Sequence, residues 1–291
     1  MTVLIFTPTY DSGPRPEMMA SVSQQTYTDF VHEVSWHNPF PGRAMQNVVA
    51  QYQHGRQMML DGGYEAMLTV EHDMVIPADA LQKLYDTDAP VVYGVYMLRH
   101  GTPTLNAWQY INTRNLGMSL SLYPAEVKAA WKRGWAEVCG VGWGCTLIRR
   151  EVLERINIRQ NAVDDAGDLA FATDCLRAGF RQIARFDVPC GHYDHNGKLL
   201  DAKKMGGTVS RVYALQPVVA NVGGSSMPMR AGCYYTVPNN VAIDLQRAGF
   251  VRITNDDDSQ QKAGEREQPD IAAREMAVNP KAATRGKRNA R

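Results

Sequence analysis

The chain has 291 residues, 44% of them hydrophobic and 21% charged, with a formal net charge of +1. This composition is that of a soluble globular protein, long enough for one large α/β domain or two small ones, with no overall charge for holding nucleic acid or a membrane surface. Five cysteines (Cys139, Cys145, Cys175, Cys190, Cys233) include no CxxC pair, which argues against a disulfide framework and for reduced thiols in a cytosol.

In chain order, residues 2–6 read as a buried strand ending at Thr7-Pro8-Thr9-Tyr10-Asp11. Residues 16–25 read as a helix with proline in its first turn. Residues 30–36 alternate as a second strand. Residues 42–60 form a long helix stopped by Gly62-Gly63. A third strand at 64–70, a short helix at 77–85 and a strand at 90–97 follow. The stretch 100–137 holds Trp108, Trp131 and Trp135 with no regular pattern. Residues 138–149 are glycine-rich and then strand-like, and 150–156 form a short helix. Residues 167–178 form an amphipathic helix stopped by Gly179, 181–186 a strand, and 188–196 a loop dense in His, Cys and Asp. Strands alternating with helices predict a mixed, mainly parallel sheet with helices on both faces.

The division expected is a domain over 1–225, a small strand–helix appendage over 226–254, and a disordered polar tail over 255–291. The appendage would run as a strand at 234–238 and a helix at 239–250, capped by Asn239 or Asn240. The tail is acidic at Asp256–Asp258, Glu265, Glu267 and Asp270, then basic at Lys281, Arg285, Lys287, Arg288 and Arg291. No run of about 18 apolar residues is present and the start lacks a signal-peptide pattern, so a cytoplasmic chain without a membrane span is expected.

The segment Met67-Leu-Thr-Val-Glu71-His72-Asp73 carries the strongest chemical signal. An apolar strand ends in two carboxylates, where open α/β sheets place ligands. Hard oxygen donors there suit Mg²⁺ or Mn²⁺ with a phosphorylated ligand. Gly140, Gly142 and Gly144 around Trp143 permit close backbone approach, with an indole face for a sugar or base. Their spacing lacks the pattern of a dinucleotide-binding loop. Asp164, Asp165 and Asp168 stand before or within a helix start, where a carboxylate also caps. His72 on a strand would point away from its two acidic neighbours.

Four segments in order resemble the GT-A glycosyltransferases, in particular the family 2-like group. They are Thr7-Pro8-Thr9-Tyr10-Asp11 with Ser23-Gln-Gln-Thr-Tyr-Thr-Asp-Phe30; Glu71-His72-Asp73 in place of Asp-x-Asp; Gly140 to Val152; and Asp165 to Phe171 with Gly179-Phe-Arg181 and Cys190-Gly-His192. The resemblance covers about residues 1–195. It implies a GT-A (Rossmann-like) fold and transfer of a sugar from a nucleoside-diphosphate donor, UDP-sugar favoured, to a hydroxyl acceptor. Asp73 would be the direct metal ligand, Glu71 would reach the ribose or a metal-bound water, and His192 would close the coordination sphere, favouring Mn²⁺ over Mg²⁺. Thr9, Tyr10, Asp11 and Arg56 would contact the donor; Gly142 and Trp143 would lie on the acceptor side. Asp168, with Asp165 as competitor, would be the base of an inverting reaction. Compact size and the small appendage are similar to phage-encoded transferases. On that reading the enzyme would work in the host cytoplasm, the acceptor would be a modified DNA base, and the basic tail would touch phosphate. A glycan or protein side chain remains as acceptor.

Three other readings compete. A nucleotidyltransferase would carry a basic glycine-rich loop where this chain has only Asp11-Ser-Gly-Pro-Arg15-Pro. A catalytically inactive binding module would lack both metal and nucleotide. A facial iron triad from His192-Tyr-Asp194 and a distant His needs an antiparallel β-roll, which the strand–helix alternation opposes.

Overall fold

The computed structural model describes residues 2–10, 13–99, 105–111, 119–121, 124–160, 167–205, 209–222 and 225–254. The chain runs β1 (Val3–Pro8), α1 (Pro16–Ser23), β2 (Phe30–Ser35), α2 (Ala44–Asp61), β3 (Ala66–Val70), β4 (Met74–Val75), α3 (Ala80–Tyr85) and β5 (Val91–Val95). After it come β6 (Trp108–Ile111), β7 (Ser119–Ser121), α4 (Pro124–Arg133), β8 (Trp135–Glu137), β9 (Cys145–Arg149), α5 (Arg150–Arg155), α6 (Gly167–Arg177) and β10 (Gln182–Pro189). The remainder is β11 (Gly191–Tyr193), β12 (Leu199–Asp201), α7 (Ala202–Met205), β13 (Val209–Ala214), β14 (Val218–Val222), β15 (Ser225–Met229), β16 (Tyr234–Pro238), α8 (Asn239–Arg247) and β17 (Val251–Ile253).

The central sheet has seven strands in the order β2-β1-β3-β9-β5-β10-β8. β1 runs parallel to β2 and β3, and β10 to β5, while β9 and β8 run against their neighbours. The fold is therefore mixed α/β with a mostly parallel sheet. β1, β3 and β5 are buried at every position, as continuous apolar strands of a parallel sheet must be. α2 packs on β1 and β3, and α3 on β5, β9 and β10. Gly55 lets α2 close on the sheet, because a Cβ there would sit 2.9 Å from the Phe6 ring. α2 ends before Gly63, whose φ of 69° is left-handed.

Three regions differ from the sequence expectation. The stretch 188–196 is not a loop: β10 continues to Pro189, and Gly191–Tyr193 forms β11, paired with β4 and β12. Backbone pairing stabilises these short polar strands, a contribution that side-chain pattern does not reveal. The irregular middle also contains α4, which packs on β8 and β10. The strand and helix expected after Tyr234 belong to a larger unit. β16, β13 and β17 form one sheet, and Val212, Ala220, Met229, Val237, Ala242 and Val251 share a core of their own. The tail over 255–291 lies outside the described residues.

Candidate metal and donor site

β3 delivers the first carboxylate. The Glu71 N–H donates to the Gly144 carbonyl at 3.1 Å, and the Met74 N–H turns back onto the Glu71 carbonyl at 3.0 Å. That turn places Asp73 at the head of β4. β4 pairs with β11 so that Met74 faces His192, and the Tyr193 N–H donates to the Asp73 carbonyl at 3.0 Å. Glu71 and Asp73, with His192 from more than a hundred residues further along the chain, thereby bring one ligand atom each within 4.8 Å of one another.

Asp73 is 4% exposed, and so is His192. Asp73 Oδ2 is paired with Arg99. Its other oxygen, Oδ1, faces His192 Nε2 at 3.7 Å, beyond hydrogen-bond range, and both atoms are buried without a hydrogen-bond partner. His192 Nδ1 lies 2.8 Å from the Met97 carbonyl. A carbonyl only accepts, so Nδ1 carries a proton, and Nε2 is the ring nitrogen turned toward Asp73. This is how a metal-ligating imidazole is oriented by its other nitrogen. Two ligands each about 2.1 Å from one cation lie at most about 4.2 Å apart, so a 3.7 Å gap accommodates a shared ion. The residues present therefore fit a divalent cation. One imidazole and two carboxylates suit Mn²⁺ better than Mg²⁺.

The local field fits that arrangement. Burial alone raises the Asp73 carboxyl, but His192 and then Arg99 hold it below its ordinary value. Burial lowers the His192 imidazole, while the facing Asp73 carboxylate raises it, with a net rise. Burial, then the Asp73 charge, pushes Glu71 up. The Tyr52 hydroxyl donates to Glu71 Oε1 at 3.2 Å.

Of the three, Asp73 lines a cleft of about 360 Å³, together with Gly13, Arg15, His72, Arg99 and Tyr193, among others. The Arg15 guanidinium stacks 4.2 Å from the centre of the Tyr193 ring. Tyr10 packs edge-to-face on His72 at 5.5 Å, and its hydroxyl is pushed up to about 12 by burial and then by Glu71. Thr9 is buried. Its carbonyl accepts from Gln51 Nε2 at 2.7 Å, and its N–H donates to Gln51 Oε1 at 3.1 Å. This fixes the tip of β1 to α2.

Arg56 donates to the carbonyls of Leu153 at 2.7 Å and Ile156 at 3.2 Å, so its guanidinium ties α2 to the end of α5. Trp143 is 3% exposed, with its ring 4.0 Å from Tyr52 and 6.2 Å from Phe171; its faces lie in the core. A Cβ at Gly142 would sit 2.2 Å from the Tyr96 hydroxyl and 3.0 Å from Asp168 Oδ2, so Gly142 and Asp168 are neighbours. Asp168 lies in the first turn of α6, and its Oδ1 accepts from the Leu169 N–H at 2.8 Å. Asp11, Asp164 and Asp165 lie outside the described residues.

Sequence reading missed Arg99, Arg15, Tyr52 and Tyr96. Arg15 did leave a trace. It stands at the N-cap of α1, where a cation opposes the helix dipole. Arg99 and Tyr96 follow β5 with no local signal.

No protein-family model matches the chain, and no curated protein matches it either. Among solved structures, A197 from STIV aligns at 19% identity over 69% of this chain and 94% of that one, with a TM-score of 0.46. TarS residues 1–349 from S. aureus, solved in complex with UDP, aligns at 14% identity over 64% of this chain and 58% of that one, with a TM-score of 0.38. Scores this low carry neither substrate nor mechanism over to this chain. Among the described residues, no helix is long and apolar enough to cross a membrane.

Proposed function

We propose that the chain is a metal-dependent glycosyltransferase of GT-A type, moving a sugar from a nucleoside-diphosphate donor to a hydroxyl acceptor. One observation carries the reading. Two buried, unpartnered ligand atoms, Asp73 Oδ1 and His192 Nε2, face each other at 3.7 Å beside a cleft that holds two guanidinium groups. Leaving such atoms unsatisfied costs about 1–3 kcal/mol each, an arrangement expected of a site built to take a ligand.

Asp73 and His192 would hold the cation directly, with Glu71 as third ligand or bound to the ribose. A divalent cation there neutralises the charge that builds on the leaving diphosphate. Arg15, facing the same cleft, would pair with diphosphate oxygens. Arg99 keeps Asp73 ionised and turned so that Oδ1 stays available. Tyr10 and Thr9, at the tip of β1, would border the nucleoside, with uracil favoured as its base. Asp168 would take the proton of the acceptor hydroxyl as the acceptor oxygen bonds to the anomeric carbon. The bond from that carbon to the diphosphate breaks, and its electron pair leaves with the diphosphate, giving inversion. Gly142, beside Asp168, would mark the acceptor side, with Trp143 supporting it from within. A glycan or a modified DNA base would supply the hydroxyl.

Prolonged incubation with nucleotide-sugars and Mn²⁺, followed by chromatography, tests the reading through slow hydrolysis of the donor. Release of nucleoside diphosphate should require Mn²⁺ and vanish in Asp73→Ala. No release from any nucleotide-sugar, or release that survives both EDTA and the substitution, counts against it.

A further inference from the structure

The residue that ties the metal ligands to the acceptor side belongs to neither group. Tyr96 follows β5 and is 4% exposed. Its hydroxyl oxygen accepts two hydrogen bonds, from the Gly144 N–H at 3.2 Å and from Asn106 Nδ2 at 2.9 Å. The Gly144 carbonyl in turn accepts the Glu71 N–H, so a single residue, Gly144, links the hydroxyl to the Glu71 backbone. The ring edge meets the His192 imidazole at 5.3 Å and 87°. On its far side the hydroxyl abuts Gly142, where an added Cβ would lie 2.2 Å from it and 3.0 Å from Asp168 Oδ2. Gly144 also has to be glycine, because its Cβ would lie 2.8 Å from Tyr96 Cζ. One side chain thus contacts the backbone that places Glu71, the ring that places His192, and the glycine next to Asp168.

We infer that Tyr96 is a positioning residue that sets Glu71, His192 and Asp168 in a common frame, its hydroxyl acting through Gly144 and its ring through His192. The inference rests on the metal-site reading above and deepens it. It assigns to a buried tyrosine a contribution to cation affinity that core packing alone would not give. Burial, then the charges of Glu71 and Asp168, drives this hydroxyl well above its ordinary value, so it stays protonated and neutral while it accepts.

Tyr96→Phe keeps the ring and deletes the hydroxyl. Tyr93→Phe is the control. Tyr93 is a fully buried tyrosine three residues earlier, within β5, whose hydroxyl donates to Gln182 Oε1 instead. Mn²⁺ affinity is read by calorimetry on the full chain, with thermal unfolding in EDTA alongside. Both variants should lose comparable thermal stability, but only Tyr96→Phe should weaken Mn²⁺ binding, by about tenfold as for removal of an outer partner of a metal ligand. Equal Mn²⁺ affinity in Tyr96→Phe and the unaltered chain overturns the inference, as does an equal loss in Tyr93→Phe. An unaltered chain that binds no Mn²⁺ overturns the metal-site reading itself, and the inference falls with it. If Tyr96→Phe does not fold, Asn106→Ala removes one of the two hydrogen bonds that orient the hydroxyl and is read in the same way.

Discussion

Replacing His192 with alanine affects the site very differently with and without its cation. In the metal-free chain the substitution removes the Nδ1–H bond to the Met97 carbonyl, a net loss of about 1 kcal/mol. It also removes the unpartnered Nε2, whose burial costs about 1–3 kcal/mol. The substitution also removes the imidazole's attraction for the buried Asp73 carboxylate and leaves a cavity, so the metal-free variant should be less stable, and each chain's Mn²⁺ shift is read against its own melt in EDTA. The bound state responds otherwise. Mn²⁺ at about 100 times its Kd stabilises the folded chain by about 2.7 kcal/mol. For a domain of this size that raises Tm by roughly 5–10 °C. Loss of one of three protein ligands, at about 100-fold in affinity, leaves about 0.4 kcal/mol and a shift of about 1 °C at the same concentration. Circular dichroism melts in EDTA and in Mn²⁺ measure both numbers. A His192→Ala chain whose Tm rises with Mn²⁺ as much as the unaltered chain's would refute the placement of His192 on the cation.

Asp168→Asn keeps an oxygen to accept the Leu169 N–H but cannot take a proton, so kcat should fall by about 10²–10⁴-fold while nucleotide and Mn²⁺ affinities hold; a fall in binding of the same size would assign Asp168 to the donor instead. Gly55→Ala gains about 1 kcal/mol of helix propensity but drives a Cβ to 2.9 Å from the buried Phe6 ring, which costs about 1–3 kcal/mol. Urea unfolding should show a net loss, and a net gain would mean that α2 can lift off β1 at no cost. His32 is held by burial below its ordinary value of 6.5 and is neutral in the fold, 3.0 Å from Thr7 Oγ1. Its contribution is fully present above pH 6.5 and is lost as pH falls through the lowered folded value. Stability of the His32→Gln chain should therefore fall less steeply below pH 6.5, and an unchanged slope would place the acid sensitivity elsewhere.

Strands β1, β3 and β5 were legible because they are buried on both faces, and α1 and α2 because they are punctuated by Pro16, Gly62 and Gly63. Glu71 and Asp73 were legible for a related reason: an apolar run that stops in acids marks a strand tip. His192 was reached only through the family resemblance. In the sequence it sits in a polar stretch, and its strand exists because β4 offers backbone partners to residues 191–193. The glycines at 140, 142 and 144 were read as permitting close approach. They do so at all three, but the approaching groups are this chain's own side chains: Ala172 and Trp108 at Gly140, and Tyr96 at Gly142 and Gly144. Arg56 and Trp143 show the limit of spacing as a guide. A helix arginine and a tryptophan among glycines give the same pattern whether they face a ligand or the core, and only the tertiary contacts decide.

The central claim is that the Glu71-Asp73-His192 cluster holds a cation that in turn holds a nucleoside diphosphate. Calorimetric titration of the full chain with UDP, in Mn²⁺ and again in EDTA, tests it most directly. Binding in Mn²⁺ that disappears in EDTA and in Asp73→Ala is the predicted result. UDP binding unchanged by either, or no binding of UDP or any other nucleoside diphosphate with Mn²⁺ present, would contradict it.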